Sequence, residues 1–221
     1  GSADQVVAGV RYVDNAINRL FNHNTTSITI DGKVIVSDTL FMNTTGTPLI
    51  KMPTGDTLLL SAVVKNGGEF QLNGGVLHLN PSALDYSCTA KVKGDGGTLS
   101  TVNIIENRDI TFGTFNLSTT ATFNLETINN HIVRFANSSA ISWAGTQLTI
   151  NGWQGAFDGT SGTVGKIYFG TSASALTAAQ LEKIRFYDGT YYYDATLLST
   201  GELVPSANSI TTGSVATTIC P

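Results

Sequence analysis

The hydrophobic period changes once along the chain. Val6, Val10, Val13, Ile17 and Leu20 recur at spacings of 4, 3, 4 and 3, which puts them on one face of a helix. Asp14, Asn15, Asn18 and Arg19 cover the other face. The spacing predicts an amphipathic helix within residues 3–24. Such a stripe must be buried, either as a cap packed on a β core or as a short coiled-coil seam over 5–21 that oligomerises the chain. Two heptads fall short of the three or four that define a coiled coil.

From residue 25 the period is that of β-strands. Segments 27–30 and 33–36 alternate apolar and polar residues around Asp31-Gly32, the pattern of a hairpin with a type I′ turn. Further short β runs stand at 57–64, 69–72, 76–79, 98–105, 110–117, 122–128 and 131–135, commonly separated by Gly or Asn pairs. Their outward positions hold Thr, Ser and Asn, whereas the solvent face of an antiparallel sandwich usually carries charge. Stacked rungs, each pairing with the next, fit this better. The expectation is an all-β, right-handed β-solenoid over 25–205, with a β-sandwich as the alternative.

Composition supports ordered β-structure. Only 13% of residues are charged, against about 25% in ordinary globular chains. With 41% hydrophobic residues and a net charge of −4, the profile is not that of a disordered chain. A pI near 5.2 and no basic stripe argue against nucleic acid. No apolar run approaches the roughly 20 residues of a membrane-spanning helix. Gly1-Ser2 reads as a cloning scar, so the chain is expected to come from a longer protein. Cys88 and Cys220 make no metal-ligand spacing, and whether they pair is left open.

Little in the sequence points to catalysis. His23, His78 and His131 sit in no metal spacing, and no Gly-x-Ser-x-Gly elbow occurs. The glycines of 94–97 lack a phosphate loop's Lys. Polysaccharide-cleaving β-helices need clustered acids, but here the acids are scattered. Glu106, Arg108 and Asp109 are the densest charged group and read as a solvated turn. Ice or mineral binding would need Thr-x-Thr at rung spacing, and only scattered pairs such as Thr120 and Thr122 occur. No catalytic residue, metal site or cofactor is expected. Aromatic residues are the better lead. Tyr187, Tyr191, Tyr192 and Tyr193 surround Asp188-Gly189. Successive strand residues point to opposite faces, so three tyrosines in a row cannot all be buried. An exposed Tyr beside Asp suits stacking on sugars. Trp143 and Trp153 are further candidates, either as a sugar-stacking pair or as core. The candidate ligand-binding residues are therefore Tyr191, Tyr192, Tyr193, Trp143 and Trp153.

The stretch from Ser139 is distinctive. It reads Ser-Ala-Ile-Ser-Trp-Ala-Gly-Thr-Gln-Leu-Thr-Ile-Asn-Gly-Trp-Gln-Gly (139–155), then Lys-Ile-Tyr-Phe-Gly (166–170), Leu-Thr-Ala-Ala-Gln-Leu-Glu-Lys-Ile-Arg-Phe (176–186) and Ala-Thr-Leu-Leu-Ser-Thr-Gly-Glu-Leu-Val-Pro (195–205). This resembles the terminal segment of autotransporter-like β-solenoid repeat proteins on bacterial surfaces, including secreted repeat proteins of the Bacteroidetes type. The likeness is good over 139–205, loose over 66–138 and absent over 3–65. It implies a cap beginning near residue 139, a linker into a following module at 206–221, and a location outside a bacterial cell. It carries no catalytic residues. Independently, Thr177 and Gln180 have the spacing of a capping box, which predicts a short helix packed by Leu176, Leu181 and Ile184 on the solenoid end. A solenoid needs such a cap, because an open last rung exposes unpaired backbone. The function expected is a non-enzymatic structural or adhesive module of a larger cell-surface protein, with neighbouring modules as partners. The alternative is a carbohydrate-binding module that recognises surface polysaccharide or another glycan through exposed Tyr or Trp.

Overall fold

Buried and part-exposed positions alternate along most of the strands, as in His131–Phe135, where residues 131, 133 and 135 are buried. Every second side chain therefore enters one core. The computed structural model describes residues 5–6, 16–22, 27–42, 49–61, 63–65, 67–81 and 85–211. In chain order its strands are β1 (Gln5–Val6), β2 (Ala16–Asn22), β3 (Ser27–Thr29) and β4 (Lys33–Met42). Three turns of three strands follow: β5 (Leu49–Pro53), β6 (Thr57–Leu60) and β7 (Val63–Lys65); β8 (Glu69–Asn73), β9 (Val76–Leu79) and β10 (Asp85–Ser87); β11 (Lys91–Gly94), β12 (Thr98–Ser100) and β13 (Arg108–Thr111). Then come β14 (Phe115–Leu117), β15 (Thr120–Asn124) and β16 (His131–Phe135), followed by β17 (Gln147–Asn151) and β18 (Gly165–Phe169). The C-terminal end holds helix α1 (Ala178–Leu181), β19 (Ile184–Tyr187), β20 (Tyr192–Leu197) and β21 (Glu202–Thr211).

Strands pair in parallel with their counterparts one turn on. One ladder is β3-β5-β8-β11-β14, a second is β4-β6-β9-β12-β15-β17-β19, and a third is β10-β13-β16-β18. This is a β-solenoid of about five turns, and its parallel register rules out the sandwich alternative. Asp31-Gly32 does not close a hairpin. β3 pairs with β5, and β4 with β2, β6 and β7, all in parallel. Gly32 alone takes a positive φ there, of 76°, whereas a type I′ turn needs two such residues. It turns a solenoid corner, and its amide donates to Asp56 Oδ1 one rung on, at 2.7 Å.

The N-terminal helix is not shown. Gln5–Val6 and Ala16–Asn22 are strands, and β2 adds in parallel to β4, pairing Leu20 with Leu40. β-Branched Val and Ile weaken a helix, and an unpaired ladder edge recruits backbone. The rest of 3–24 lies outside the described residues. At the other end β21 runs through the expected boundary at 205/206. Cys88 is buried, and Cys220 lies outside the described residues.

The core is built of columns that follow the register. Ile28, Ile50, Phe70, Val92 and Phe115 stack on one face. Val34, Leu58, Leu77, Leu99, Phe123, Ile150 and Phe186 stack on the second. In the later turns the interior becomes aromatic. Phe135 stacks on Phe112, Phe123 and Phe169 at 5.9, 5.6 and 5.1 Å. On the outside of the second ladder one column reads Thr57, Val76, Thr98, Thr122, Thr149. The neighbouring column reads Leu59, His78, Ser100, Asn124, Asn151, so the threonines form a single line.

The rungs lengthen along the chain. Ile50 pairs with Phe70, Phe70 with Val92 and Val92 with Phe115, offsets of 20, 22 and 23 residues. On the third ladder Val133 pairs with Ile167, an offset of 34. The added residues leave at the corner between the second and third ladders, as loops 101–107, 125–130 and 152–164.

The C-terminal end is closed by antiparallel strands. β20 pairs with β19, β21 with β20, and β21 with β18, so this pair joins the second and third ladders. Helix α1 has its predicted capping box. The Gln180 amide donates to Thr177 Oγ1 at 3.2 Å, and Gln180 Oε1 accepts from the Thr177 amide at 2.7 Å. Gln180 Nε2 also donates to the carbonyls of Ser138 and Ile141, pinning 138–141 to the helix.

Candidate functional site

The lengthened corner loops carry the groups capable of chemistry. Most of those groups are spent on holding the loops. In β18 the outward residues are Lys166 and Tyr168. The Tyr168 hydroxyl donates to Glu202 Oε2 at 3.2 Å. Glu202, 2% exposed, also accepts from Ser161 Oγ at 2.7 Å and the Gly162 amide at 2.9 Å. One buried carboxylate at the start of β21 thus fastens loop 152–164 to the cap. Gly201 precedes it with φ 83°, where a Cβ would lie 2.6 Å from the Phe169 carbonyl oxygen. Beside it, Arg134 makes a two-toothed bond to Asp109 at 2.8–3.0 Å and lies 4.5 Å from the Tyr168 ring centroid.

The group at Glu106, Arg108 and Asp109 is not one solvated turn. Arg108 is buried and its Nε donates to the Pro81 carbonyl at 2.8 Å. It stacks inward on His131, which in turn underlies Gly165. His131, 2% exposed, gives its Nδ1 to the Asn129 carbonyl at 2.8 Å. A carbonyl only accepts, so Nδ1 carries the proton. Nε2 therefore accepts from the Thr101 hydroxyl, also at 2.8 Å. Burial holds the His131 pKa below its ordinary value, against the opposing pull of the Asn129 bond. Thr101 is wholly buried, and His131 lines a cavity of about 180 Å³ together with Arg108 and Asn130. Nearby, Glu126 accepts from the amides of Asn103, Thr127 and Ile128. The Asn103 bond is the main cause that lowers its pKa. Asn103 and Asn107 take left-handed φ of 63° and 60°, a conformation that Asn tolerates better than most residues.

An open site lies at the C-terminal end of the same corner. A cavity of about 430 Å³ is lined by Asn151, Trp153, Gln154, Phe157, Tyr187 and Asp188, with Gly152 and Gly189. Each aromatic wall has a second tyrosine behind it. Tyr187 lies 4.7 Å from Tyr192, at 31° between ring planes, and Phe157 lies 4.3 Å from Tyr193. Asp188 organises the β19–β20 turn: Oδ1 accepts from the amides of Tyr191 and Thr190, and Oδ2 from the Tyr193 hydroxyl. These bonds, led by the Tyr191 amide, hold its carboxyl below the usual range. On the cavity floor the Trp153 ring packs edge-on against Phe186, at 5.2 Å between centroids.

The sequence candidates divide accordingly. Tyr191 is 46% exposed at the turn, and Tyr192 and Tyr193 buttress the walls. Trp153 lies in the cavity floor, 5% exposed. Trp143 is core: it packs on Phe115 and donates its indole N–H to the Phe115 carbonyl at 3.2 Å. Neither Trp lies on a strand, so the structure does not pair them. Phe157, Asn151 and Gln154 were not among the candidates. Phe157 had one signal, as the lone aromatic residue in a Gly-, Ser- and Thr-rich stretch. Among the described residues no group of three His, Cys, Asp or Glu side chains comes together as a metal site. No family model matches the chain, and neither a curated protein nor a solved structure matches it.

Proposed function

We propose that this chain is a non-catalytic structural and adhesive β-solenoid module of a larger protein, secreted to or displayed on a bacterial surface. The observation that carries this reading is the economy of the corner: Glu202 and His131 fasten loops to the rungs, Glu126 ties two neighbouring loops together, and Arg134 joins β16 to β13. The likeness of 139–205 to the caps of autotransporter-like surface proteins supports it, and so does a wall rich in Thr and Asn. The winding is right-handed on this reading, as are nearly all parallel strand–crossover–strand connections.

The cavity at the cap favours a second, more specific reading, a carbohydrate-binding module. Concave sites with aromatic walls and a few polar groups are the usual form of a small-ligand pocket, and about 430 Å³ lies within the range of such pockets. A glycan array, run beside affinity electrophoresis in gels containing insoluble polysaccharides, tests both readings. Reproducible retardation that Tyr192→Ala or Tyr193→Ala abolishes supports the carbohydrate reading. Silence across all glycans leaves the structural module. Turnover of any polysaccharide in a reducing-end assay would refute the non-catalytic proposal.

A further inference from the structure

We propose that the cap cavity takes one neutral pyranose unit of a glycan between Tyr187 and Phe157, read by the indole N–H of Trp153. This rests on the carbohydrate reading above and adds to it the sugar class and the recognising atoms.

Three observations converge. The first concerns shape. The two walls come from different elements, Tyr187 from β19 and Phe157 from loop 152–164, and each is backed by a tyrosine of β20. Walls supported in this way are pre-organised, and an aromatic face suits the C–H face of a sugar ring.

The second concerns charge. Asp188 lines the cavity and no Lys or Arg does. The carboxyl is already engaged by two amides and a hydroxyl. Uronates, sialic acids and phosphorylated sugars meet an anion there with no cation to offset it, which leaves neutral sugars.

The third concerns unmet hydrogen bonds. Trp153 Nε1 and Asn151 Oδ1 are buried and have no hydrogen-bond partner among the described residues. Asn151 gives its Nδ2 to Asn124 Oδ1 at 2.8 Å, which turns its own oxygen away from that bond. A donor and an acceptor thus stand unsatisfied on neighbouring residues of the cavity lining. A sugar hydroxyl both accepts and donates, and an acetamido group does the same through two atoms. An apolar ligand offers neither. What lies over the indole N–H is glycine: a Cβ on Gly155 would lie 3.4 Å from Nε1. Gly155 is exposed, whereas the adjacent Gly162, which lies against the six-membered ring of the indole, is tied to Glu202. Gly155, the exposed one of the two, is the residue that yields for a hydroxyl to reach the donor.

The chain has two Trp residues, so nitrogen-15 spectra show two indole N–H signals, and Trp153→Phe assigns them. The probes are cellohexaose, mannohexaose, chitohexaose and, as the acidic control, hexagalacturonate. The expected result is that at least one neutral hexasaccharide moves the Trp153 signal and leaves the Trp143 signal in place. Trp153→Phe keeps a ring against Phe186 and removes the donor. It should weaken that sugar roughly five- to tenfold, the worth of one hydrogen bond. Asn151→Ala should weaken it comparably and serves if Trp153→Phe does not fold. A response to chitohexaose alone assigns the acetamido group as the partner, and a response to cellohexaose or mannohexaose assigns a hydroxyl. If sugars bind on the array while the Trp153 signal stays still, the cavity proposal is overturned and the carbohydrate reading survives. A shift with hexagalacturonate overturns the neutral class. If no sugar binds in any format, both fall.

Discussion

Replacing Glu202 with Ala should loosen the whole capped end. The carboxylate is 2% exposed and accepts from the Gly162 amide, Ser161 Oγ and the Tyr168 hydroxyl. A hydrogen bond to a charged group contributes about 1.5–3 kcal/mol, and a buried donor left without a partner loses a similar amount. The Gly162 amide is buried and bears that cost in full. Ser161 and Tyr168 reach water, so their shares fall to about 0.5–1 kcal/mol each. The sum is about 2.5–5 kcal/mol. For a chain of this size about 2–4 °C of melting midpoint follows each kcal/mol, so the midpoint should drop by roughly 5–20 °C if the chain unfolds as one unit. Solenoids can instead open from one end. The assay therefore combines thermal unfolding with native-state hydrogen exchange at the amides of Gly162 and Leu203. Glu202→Gln keeps an acceptor oxygen for Gly162 and should fall between wild type and Ala. A midpoint within about 2 °C of wild type, with exchange at Gly162 unchanged, would show that Glu202 does not hold the loop.

Three other predictions follow from the same geometry. Phe135→Ala removes the ring that stacks on three others, and should cost about 3–5 kcal/mol in urea unfolding; a loss below about 1.5 kcal/mol would contradict the stack. Gly165→Ala places a Cβ 2.8 Å from His131 Cε1 and should cost about 1–3 kcal/mol, with part recovered when His131 is also made Ala; additive single effects would disprove the contact. Stability should decline on acidification in two stages. His131 is held neutral, its pKa lowered in the fold, so the unfolded chain binds more protons below its ordinary value of about 6.5, and stability falls as pH drops from there. Glu126, lowered from about 4.5, adds a second decline below that pH. A flat unfolding free energy between pH 7 and 5 would refute the His131 assignment; His131→Gln should reduce the first stage and leave the share of His78, whose pKa burial also lowers.

What could be read in the sequence was what is local. The strand 131–135 and the capping box at Thr177 and Gln180 stand where their patterns put them, because each is specified by residues within one element. The Asp31-Gly32 turn misled for the complementary reason. A corner and a hairpin share turn chemistry, and the choice between them is made by partners 20 or more residues away. The threonine column was hidden in the same way, since offsets of 22, 24 and 27 residues join Val76 to Thr98, Thr122 and Thr149. No fixed period marks it. The N-terminal 4-3 spacing failed over 16–22 because a ladder edge competes for the same backbone.

The site has a different relation to the sequence. Parity required that one of three successive tyrosines be exposed, and Tyr191 is. It gave no hint that the other two stand behind the walls of a cavity whose Phe157 lies 35 residues before Tyr192. A cue was nonetheless present in the spacing of the strands. A solenoid rung is fixed inside by the core columns and along its edges by parallel bonds, so extra residues can leave only at corners. The offset between paired residues on the second ladder rises from 24 (Thr98 to Thr122) to 27 (Thr122 to Thr149) and then 36 (Thr149 to Arg185). That last interval contains Trp153 and Phe157, and Tyr187 lies two residues beyond it. In a solenoid the place where the repeat length jumps is therefore where the chain is free of its neighbours, and where a binding site can be built without breaking a rung.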